Sequence, residues 1–447
     1  MTASNYLKNV REQYEDYPYP ARDPNDEKTR LLPTGLELLD YLNFHCFKGA
    51  QSFSPFRALV AGGGTGDAAI FLGEQLRDRD AEVVYLDISS ASRAVAQERA
   101  RIRGLENITW LQGSILDLPD LDIGDFDYIN CSGVLHHLES PVAGLKALRS
   151  VLREGGCMGL MVYAQIGRTA IYQLQHLLQL VNTGERSIQA KIDNARSLLD
   201  QLPKSNWFKL SEKLLPAEHI NHGDAGIYDM LLHEQDRAYT VEQLYEYIEL
   251  CELNFVNFSY ERAWRYRPEA YINDQALLET IQKLPLRQQQ AIAELVAGNI
   301  LVHQFYVSRK RDTVARLSDI DNIPFFFMFD LDGISLHQQM LGSPGRDVIL
   351  CPTPNIKLSI RPGRYTHLFF KYIDGKRSLR KIFKKIKKDL GKAGVTDADL
   401  LDDFAPVFKS LNDADWLLLR GPSGRPVGDL NRIQEAVTRR YQSSSQV

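Results

Sequence analysis

The chain has 447 residues, of which 44% are hydrophobic and 25% are charged, and its formal net charge is −4. This composition excludes a disordered chain, a collagen-like chain and a small disulfide-rich domain. A net charge so close to zero provides no overall attraction for nucleic acid or for an anionic membrane. At ~150 residues for each domain, a chain of this length is expected to fold as about three domains.

The N-terminus and the cysteines favour a cytoplasmic protein. The first twenty residues contain acids and tyrosines without an apolar core, unlike a signal peptide. The longest apolar run, 323–329, is far shorter than the ~20 residues that a membrane span needs. The five cysteines are widely separated and include no Cys-x-x-Cys pair, so we expect reduced thiols rather than a structural zinc site.

Short β-rich runs alternate with helical stretches between residues 57 and 163. This alternation predicts a parallel sheet with helices on both of its faces. The predicted strands are 58–61, 82–87, 108–112, 126–132 and 157–163, and the predicted helices are 67–76, 89–103 and 141–152.

The pattern then changes. Residues 167–240 read as helices and loops without an obvious strand, and Thr240 with Gln243 forms a capping box that opens the next helix. Two late strands, 255–261 and 301–307, flank a helical stretch at 274–296 and fit the closing hairpin of a seven-stranded sheet. We therefore expect a catalytic domain made of 56–166 and 241–310, with 167–240 inserted as a lid or a dimerisation element.

Residues 311–447 are predicted to form a separate, smaller α+β domain. Its predicted strands are 325–329, 348–351, 356–360 and 416–419, and its predicted helices are 366–372, 378–390 and 397–411. The part at about 365–420 is similar to the small winged-helix, peptide-binding domain of the pyrroloquinoline quinone biosynthesis chaperone. Residues 361–392 contain twelve Lys or Arg, which fit a solvated helix face or a surface for an acidic peptide or a nucleic acid.

A glycine-rich loop follows the first predicted strand and opens the first predicted helix. Its sequence is Gly62-Gly63-Gly64-Thr65-Gly66-Asp67, and glycines there let the backbone approach a ligand closely. The aspartate at the helix entrance would repel a pyrophosphate, so a nucleoside without phosphates is the predicted ligand. Asp87 ends the second strand, where a carboxylate can accept hydrogen bonds from ribose hydroxyls, and Leu135-His136-His137 follows the fourth strand.

The glycine loop, Asp87 and the Leu-His-His motif follow one another in an order and at a spacing that resemble those of class I S-adenosylmethionine-dependent methyltransferases. The resemblance covers about 57–163. The resemblance implies a doubly wound, seven-stranded, Rossmann-like α/β sheet that binds S-adenosyl-L-methionine and releases S-adenosyl-L-homocysteine. Residues 1–55 would form an arm with cofactor-capping helices, although its tyrosine–proline run could equally be a rigid docking arm. The cofactor-binding residues that the resemblance implies, together with the arm, are Tyr14, Tyr19, Gly62, Gly63, Gly64, Thr65, Gly66, Asp67, Asp87, Ile88, Ser114, Ile115, Asn130, Cys131, Ser132 and Leu135. Val60 and Ser114 stand where the family usually has acids.

Methyl transfer from a sulfonium is an in-line displacement, so positioning can supply much of the rate and no fixed triad is expected. The candidate catalytic residues are His136, His137 and Tyr163, although a histidine could instead pack under the loop. The absence of Asn-Pro-Pro-Tyr or Asp-Pro-Pro-Tyr after the fourth strand argues against amide or exocyclic adenine methylation. Cys131 lacks a preceding proline, which argues against a cysteine-nucleophile pyrimidine methylase.

The insert contains the candidate substrate-binding residues His222, Tyr228, Asp229, Asp236 and Arg237. If 227–236 is helical, Asp229, His233 and Asp236 share one face. That face could be a metal site, an amine site or ordinary polar surface, and no metal site is predicted.

The predicted function is methyl transfer to a nitrogen or oxygen of an unidentified acceptor, with a protein side chain such as lysine as the first candidate. Beyond the core, the chain resembles bacterial protein methyltransferases, including rickettsial enzymes that methylate lysines on outer-membrane proteins. A small-molecule acceptor, a nucleic-acid-binding methylase and a non-catalytic cofactor-binding subunit are the alternatives. The predicted partners are a protein or peptide substrate and a second copy bound through the insert. Nucleic acid is disfavoured and no membrane span is predicted.

Overall fold

The computed structural model describes residues 15, 18–184, 187–214, 223–233, 236–260, 262–327, 333–343, 346–353, 356–391 and 394–424. Their contacts divide the chain into two compact units. The first unit takes the described residues of Met1–Glu37, Phe56–Arg77 and Ala81–Arg309. The second takes those of Leu38–Pro55, Asp78–Asp80 and Lys310–Val447. Part of the predicted N-terminal arm thus groups with the C-terminal residues.

The first unit is built on an eight-stranded sheet. Its strands are β1 (Phe56–Ala61), β2 (Ala81–Asp87), β3 (Ile108–Gln112), β4 (Phe126–Ser132), β5 (Leu152–Ala164), β6 (Ala238–Tyr239), β7 (Asn254–Phe258) and β8 (Val302–Ser308). The order is β3-β2-β1-β4-β5-β8-β7, with β6 paired to the end of β5. Strands β1 to β5 run parallel, while β8 is antiparallel to both β5 and β7. The predicted doubly wound sheet is confirmed, and β6 is a short strand that the sequence pattern missed.

Helices join and cover the strands. The α-helices are α1 (Leu39–Cys46), α2 (Asp67–Gln75), α3 (Ser90–Arg103), α4 (Pro141–Ser150), α5 (Thr169–Val181), α6 (Ile188–Gln201), α7 (Trp207–Ser211), α8 (Gly223–Ile227), α9 (Val241–Leu250), α10 (Gln275–Ile281), α11 (Leu286–Ala297), α12 (Gly333–Leu341), α13 (Thr366–Tyr372), α14 (Leu379–Leu390) and α15 (Asp397–Asp413). Local sequence sets several of their starts: Ser89 caps α3, Pro141 is in the first turn of α4, and the predicted capping box of Thr240 and Gln243 opens α9.

The main core of the first unit lies between one face of the sheet and the helices α4, α9 and α11. Strand residues such as Leu59, Ile129 and Leu160 pack there with Leu145 and Leu244, all fully buried. The carboxyl ends of the parallel strands are the edge where α/β sheets bind ligands. The core therefore holds the loops after β1, β2 and β4 in fixed positions at that edge.

The insert between β5 and α9 has its own apolar core. Ile171 and Leu174 of α5 pack there with Ile192 of α6, Phe208 of α7 and Met230. Residues Tyr228–Leu232 form one π-helical turn directly after α8. The insert is thus a folded layer that enters from β5 and returns to the sheet through β6.

The second unit contains two small antiparallel sheets and four helices after residue 310. Strand β9 (Ile323–Phe326) pairs with β12 (Leu417–Arg420), and β10 (Val348–Thr353) pairs with β11 (Ile356–Ile360). Helix α14 buries Ile382, Phe383 and Ile386, while its lysines face outward as predicted. The α+β class of this unit is confirmed, and its winged-helix character stays a prediction. No helix among the described residues combines the length and the apolar character that a bilayer span requires.

Candidate active site

The glycine-rich loop is a close-packed turn between β1 and α2. Gly62, Gly64 and Gly66 have φ values of 73°, 50° and 102°, which side-chain-bearing residues rarely adopt. A Cβ on Gly62 would lie 2.3 Å from Cγ2 of Val134, and a Cβ on Gly63 would lie 2.2 Å from Cε2 of Tyr85. The loop therefore needs glycine both for its conformation and for its close approach to β2 and to the loop after β4.

Gly63→Ala is expected to destabilise the fold. The new methyl group would overlap the buried Tyr85 ring, whose hydroxyl donates to the carbonyl of Gly64 at 2.6 Å, so ring and loop cannot easily separate. Overpacking of this kind costs about 1–3 kcal/mol. Gly155→Ala is the matched control because a Cβ there meets nothing within 4 Å. Denaturant unfolding should show a lower midpoint for Gly63→Ala and an unchanged midpoint for Gly155→Ala. Equal midpoints for the two variants would contradict the packing described.

Asp87 faces the glycine loop from the end of β2. Its Oδ2 accepts a hydrogen bond from the Gly64 amide at 2.8 Å, and its Oδ1 accepts one from the Ser89 amide at 2.8 Å. Burial raises the pKa of this carboxyl, the backbone donors oppose that shift, and the nearby Glu15 adds to it. A buried carboxylate fixed by two amides beside a glycine loop fits a ribose, whose hydroxyls it can bind through its remaining lone pairs.

The N-terminal arm contacts this loop. The position of a Gly64 Cβ is 2.7 Å from the carbonyl oxygen of Tyr19, and the Thr65 hydroxyl donates to the carbonyl of Pro20 at 2.6 Å. Glu15 accepts hydrogen bonds from the first amides of α3 at 2.8 and 2.9 Å. The arm thus lies against both helix entrances beside Asp87. Tyr14 and His222, which were also predicted as site residues, lie outside the described residues.

The expected role of Asp67 as a charge that repels phosphates is wrong. Its Oδ2 is 2.6 Å from Nη2 of Arg22, and its Oδ1 is 2.7 Å from Nη1 of Arg99. Burial by itself would raise the pKa of Asp67, but these two guanidinium groups lower it below its ordinary value. The carboxylate is therefore neutralised by its partners, and the case for a nucleoside rests on the loop and Asp87.

Several other predicted cofactor residues have side chains that are engaged elsewhere. Ile115, Cys131 and Leu135 are buried in the main core, and burial raises the pKa of the Cys131 thiol to about 12. The Ser114 hydroxyl accepts from the amide of Leu116 at 3.2 Å and so caps a short helical turn. The buried residues among these offer a cofactor only their backbone atoms, whereas the half-buried Ser114 hydroxyl can still donate a hydrogen bond. Ile88 and Ser132 are half-buried at the ends of their strands.

The side chain of Asn130 binds a buried carboxyl group, that of Glu37, which the sequence analysis did not single out. Its amide donates to Oε1 of Glu37, which also accepts from the Tyr128 hydroxyl at 3.0 Å. Burial raises the pKa of Glu37 to about 7, against the effect of these donors. Asn130 is the register partner of Val60, so this acid lies beside the strand where the family's usual acid is missing.

Glu37→Gln is expected to flatten the dependence of stability on pH. The pKa of Glu37 rises from 4.5 to about 7 on folding. Between these two pH values the folded state therefore keeps a proton that the unfolded state has released. Stability then falls as pH rises through this window, by up to roughly 3 kcal/mol. Glutamine keeps the acceptor oxygen without the charge, so the variant should match the wild type near pH 5 and exceed it at pH 8. Urea unfolding at both values checks this, with the exposed Glu98→Gln as control, and parallel profiles would refute it.

A cluster of aromatic and imidazole rings lies next to the glycine loop. The turn Leu135–His137 follows Val134, the residue that contacts Gly62. The His136 ring centroid is 3.9 Å from that of Tyr163 on β5 and 4.1 Å from that of His137. The structure thus brings together the three candidate catalytic residues, at the edge where the acceptor must meet the cofactor.

The insert returns to this cluster through β6. Ala238 pairs with Tyr163 in parallel register, and the Arg237 amide donates to the carbonyl of His136 at 3.2 Å. Asp236 is thereby placed beside the histidines. One donor atom each from His136, His137 and Asp236 lies within 4.8 Å of the others.

The first helix of the insert, α5, supplies further groups that the sequence analysis missed. The Arg168 guanidinium lies over the Tyr163 ring at 3.6 Å, and its Nη2 is 3.7 Å from Oδ2 of Asp236. The Gln175 amide donates to the same oxygen at 3.1 Å, and the Tyr172 hydroxyl is 3.5 Å from Oδ1. The i, i+4, i+7 spacing of Arg168, Tyr172 and Gln175 was a signal for one polar helix face.

Electrostatics keep the imidazole of His136 neutral. Its ring is fully buried, and neither ring nitrogen has a hydrogen-bond partner of ordinary geometry. Burial lowers its pKa well below 6.5, and His137 and Arg168 lower it further. Burial also raises the pKa of Asp236, and the charge of Arg168 and the hydrogen bond from Gln175 oppose this rise. A neutral imidazole can take up a proton or bind a metal ion, and the carboxylate can hold a cation.

The condition for a shared face of Asp229, His233 and Asp236, one helix over 227–236, is not met. Helix α8 ends at Ile227 and the π-helical turn ends at Leu232, so Asp229, His233 and Asp236 do not share a helix face. Asp236 reaches the cluster through β6 instead. Of the other candidate substrate residues, Tyr228 belongs to the insert's apolar core, Asp229 is buried, and Arg237 donates to the Glu139 carbonyl at 3.1 Å.

Comparison with known proteins agrees with this geometry. The family profile described as "Methyltransferase domain" matches residues 59–158. An uncharacterized protein of Synechococcus sp. is 34% identical over 303 residues, which cover 66% of this chain and 70% of that protein. The "Ubiquinone biosynthesis O-methyltransferase" of Alkalilimnicola ehrlichii is 28% identical over 173 residues, or 37% of this chain and 65% of that enzyme. PKMT2 of Rickettsia typhi has the same fold over 88% of this chain and 77% of its own, with a TM-score of 0.61 and 15% identity. That protein has also been solved in complex with AdoHcy, with a TM-score of 0.58 and 16% identity.

The chain is therefore a class I S-adenosylmethionine-dependent methyltransferase, with S-adenosyl-L-methionine as its cofactor. Within that class it belongs to the family of the Synechococcus protein. The residues fit this cofactor, because Asp87 is fixed beside the glycine loop by the Gly64 and Ser89 amides and its remaining lone pairs can accept hydrogen bonds from ribose hydroxyls.

Proposed function

We propose that this enzyme methylates a nitrogen or oxygen atom of a protein side chain, with lysine as the first candidate. The observation that carries the proposal is the buried cluster at the carboxyl edge of the sheet, where Asp236 of the insert meets His136, His137 and Tyr163. The fold shared with PKMT2 extends well beyond the methyltransferase domain, and this extended similarity supports a protein acceptor.

In this proposal the cofactor supplies an electrophilic methyl group, and the chain positions the acceptor. The glycine loop and Asp87 hold the nucleoside, while the insert covers the acceptor and excludes water. A lysine must lose its proton at a cost of about 4–5 kcal/mol at pH 7. Asp236 would receive the ammonium through Oδ1, the oxygen that faces Tyr172 instead of Gln175 and Arg168. The imidazole of His136 adds no positive charge beside it, because burial lowers its pKa well below 6.5.

Methyl transfer to a small molecule is the second candidate. Relatives named ubiquinone biosynthesis O-methyltransferase match this chain, but the Acinetobacter baumannii enzyme does so over only 85 residues, 19% of the chain. That length fits shared cofactor binding better than a shared acceptor. Homodimerisation through the insert and a cytoplasmic location stay predictions, and nucleic-acid binding and a non-catalytic role stay the disfavoured alternatives.

Incubation with methyl-tritiated cofactor and a fractionated lysate tests the proposal. Label in the protein fraction is expected. Label confined to the small-molecule fraction or to RNA would overturn the proposed acceptor while leaving the methyltransferase class intact. Wild-type protein without lysate measures automethylation and is subtracted.

A further inference from the structure

The buried cluster contains more ligand atoms than a simple acceptor pocket needs. His136 and His137 come from the turn after β4, and Asp236 comes from the residues before β6. Their donor atoms lie within 4.8 Å of one another. His136 is fully buried, and both of its ring nitrogens lack an ordinary hydrogen-bond partner. Two imidazoles and one carboxylate converging in this way are a recognisable ligand set.

We infer that His136, His137 and Asp236 form a binding site for a divalent transition-metal ion of the Zn²⁺ type. Two nitrogen ligands favour such an ion over Mg²⁺ or Ca²⁺, which take oxygen ligands. Ligands around a tetrahedral ion at ~2.1 Å are ~3.4 Å apart, so the side chains must close by roughly 1 Å from the separations seen. All three ligands are on turn or loop residues, where a shift of that size is feasible.

The surroundings of Asp236 suit a ligand. Its Oδ2 is held by Gln175 at 3.1 Å and faces Arg168 at 3.7 Å, whereas the contact of its Oδ1 among the described residues is the 3.5 Å one with Tyr172. Metal-binding carboxylates are commonly oriented by such outer hydrogen bonds. Asp236 thus has one oxygen engaged by the protein and one available to the ion. The charge of Arg168 opposes the ion, which limits the affinity without blocking the ligand atoms.

Three protein ligands leave a fourth position open, as in catalytic rather than structural zinc sites. An ion there would bind an acceptor oxygen and favour its deprotonated form, and it would repel an ammonium. A bound ion would occupy His136 and Asp236, so a metal-loaded cluster suits an oxygen acceptor of the proposed function and not lysine. Binding of the metal alone tests the inference separately from the identity of the acceptor.

The test is titration of the metal-free, full-length chain with Zn²⁺ by calorimetry and with Co²⁺ by visible absorption. One ion for each chain is expected, with Co²⁺ bands typical of nitrogen and oxygen ligands in four- or five-coordinate geometry. His137→Gln and Asp236→Asn should each weaken binding at least ~10-fold. Both replacements conserve volume, and binding of S-adenosyl-L-homocysteine by each variant verifies that it is folded.

His176→Ala is the matched control because His176 is an exposed histidine on α5 outside the cluster. It should bind both ions as the wild type does. Absence of one-to-one binding by folded wild-type protein, or equal binding by wild type, His137→Gln and Asp236→Asn, would overturn the inference.

Discussion

Asp87→Asn should weaken the binding of S-adenosyl-L-methionine by about 10²–10³-fold, the largest single effect expected on cofactor affinity. The carboxylate is held by the amides of Gly64 and Ser89 and offers its remaining lone pairs to the ribose. An asparagine amide has one acceptor oxygen, and its NH₂ group would face a backbone donor. Hydrogen bonds to a charged partner are worth about 1.5–3 kcal/mol each, and more than one would be lost. Calorimetric titration with cofactor measures the change.

Asp67→Asn is the control for that experiment. It removes a carboxylate at the same loop, but one that binds Arg22 and Arg99 instead of facing a ligand. This variant should lose stability and keep its cofactor affinity within a few-fold. If Asp67→Asn weakened cofactor binding as much as Asp87→Asn, the assignment of Asp87 to the ribose would be wrong.

Asp236→Asn should lower kcat/KM for the acceptor by about 10–100-fold and leave cofactor affinity unchanged. Asp236 is the carboxylate in the ring cluster, and its replacement removes a charge-assisted contact of about 1.5–3 kcal/mol. The side chain lies on the acceptor side, against His136 and Gln175, while the cofactor loop is held by other residues. Steady-state transfer of labelled methyl to the protein fraction, with cofactor saturating, measures the effect.

Asp224→Asn is the matched control on the same insert. Asp224 pairs with Arg196 at 2.5 Å, both side chains are partly exposed, and neither belongs to the cluster of His136, His137 and Asp236. It should leave both kinetic constants unchanged. A loss of similar size in both variants would mean that Asp236 acts through the stability of the insert and not at the acceptor.

The sheet could be predicted because its signals are local. Apolar runs, helix caps and the glycine loop specify each strand and helix from neighbouring residues, and the observed bounds of β3 and β4 match the prediction. Strand β6 was missed because two residues carry no periodicity, and its existence depends on pairing with β5. The grouping of Leu39–Cys46 with the second unit was missed for a similar reason, because it follows from contacts with residues that are distant in sequence.

The site was predictable where one motif contains it and not where several segments meet. Gly62 follows β1, Asp87 ends β2 and His136 lies in the turn after β4, so the sheet rule places them at one edge. Arg168 and Gln175 could not be assigned, because their role depends on how the insert folds back. For Asp67 the sequence shows the charge but not the ion pairs that compensate it, because its two arginine partners are distant in sequence.

The central claim is that the ring cluster directs a methyl group to a protein side chain. Protein labelled with methyl-tritiated cofactor should be hydrolysed to amino acids and resolved by chromatography, for wild type and for Asp236→Asn. The account predicts label that co-migrates with methylated lysine and falls about 10–100-fold in initial rate in the variant. Label that never enters the protein fraction, or that enters it equally with both enzymes, would contradict the account.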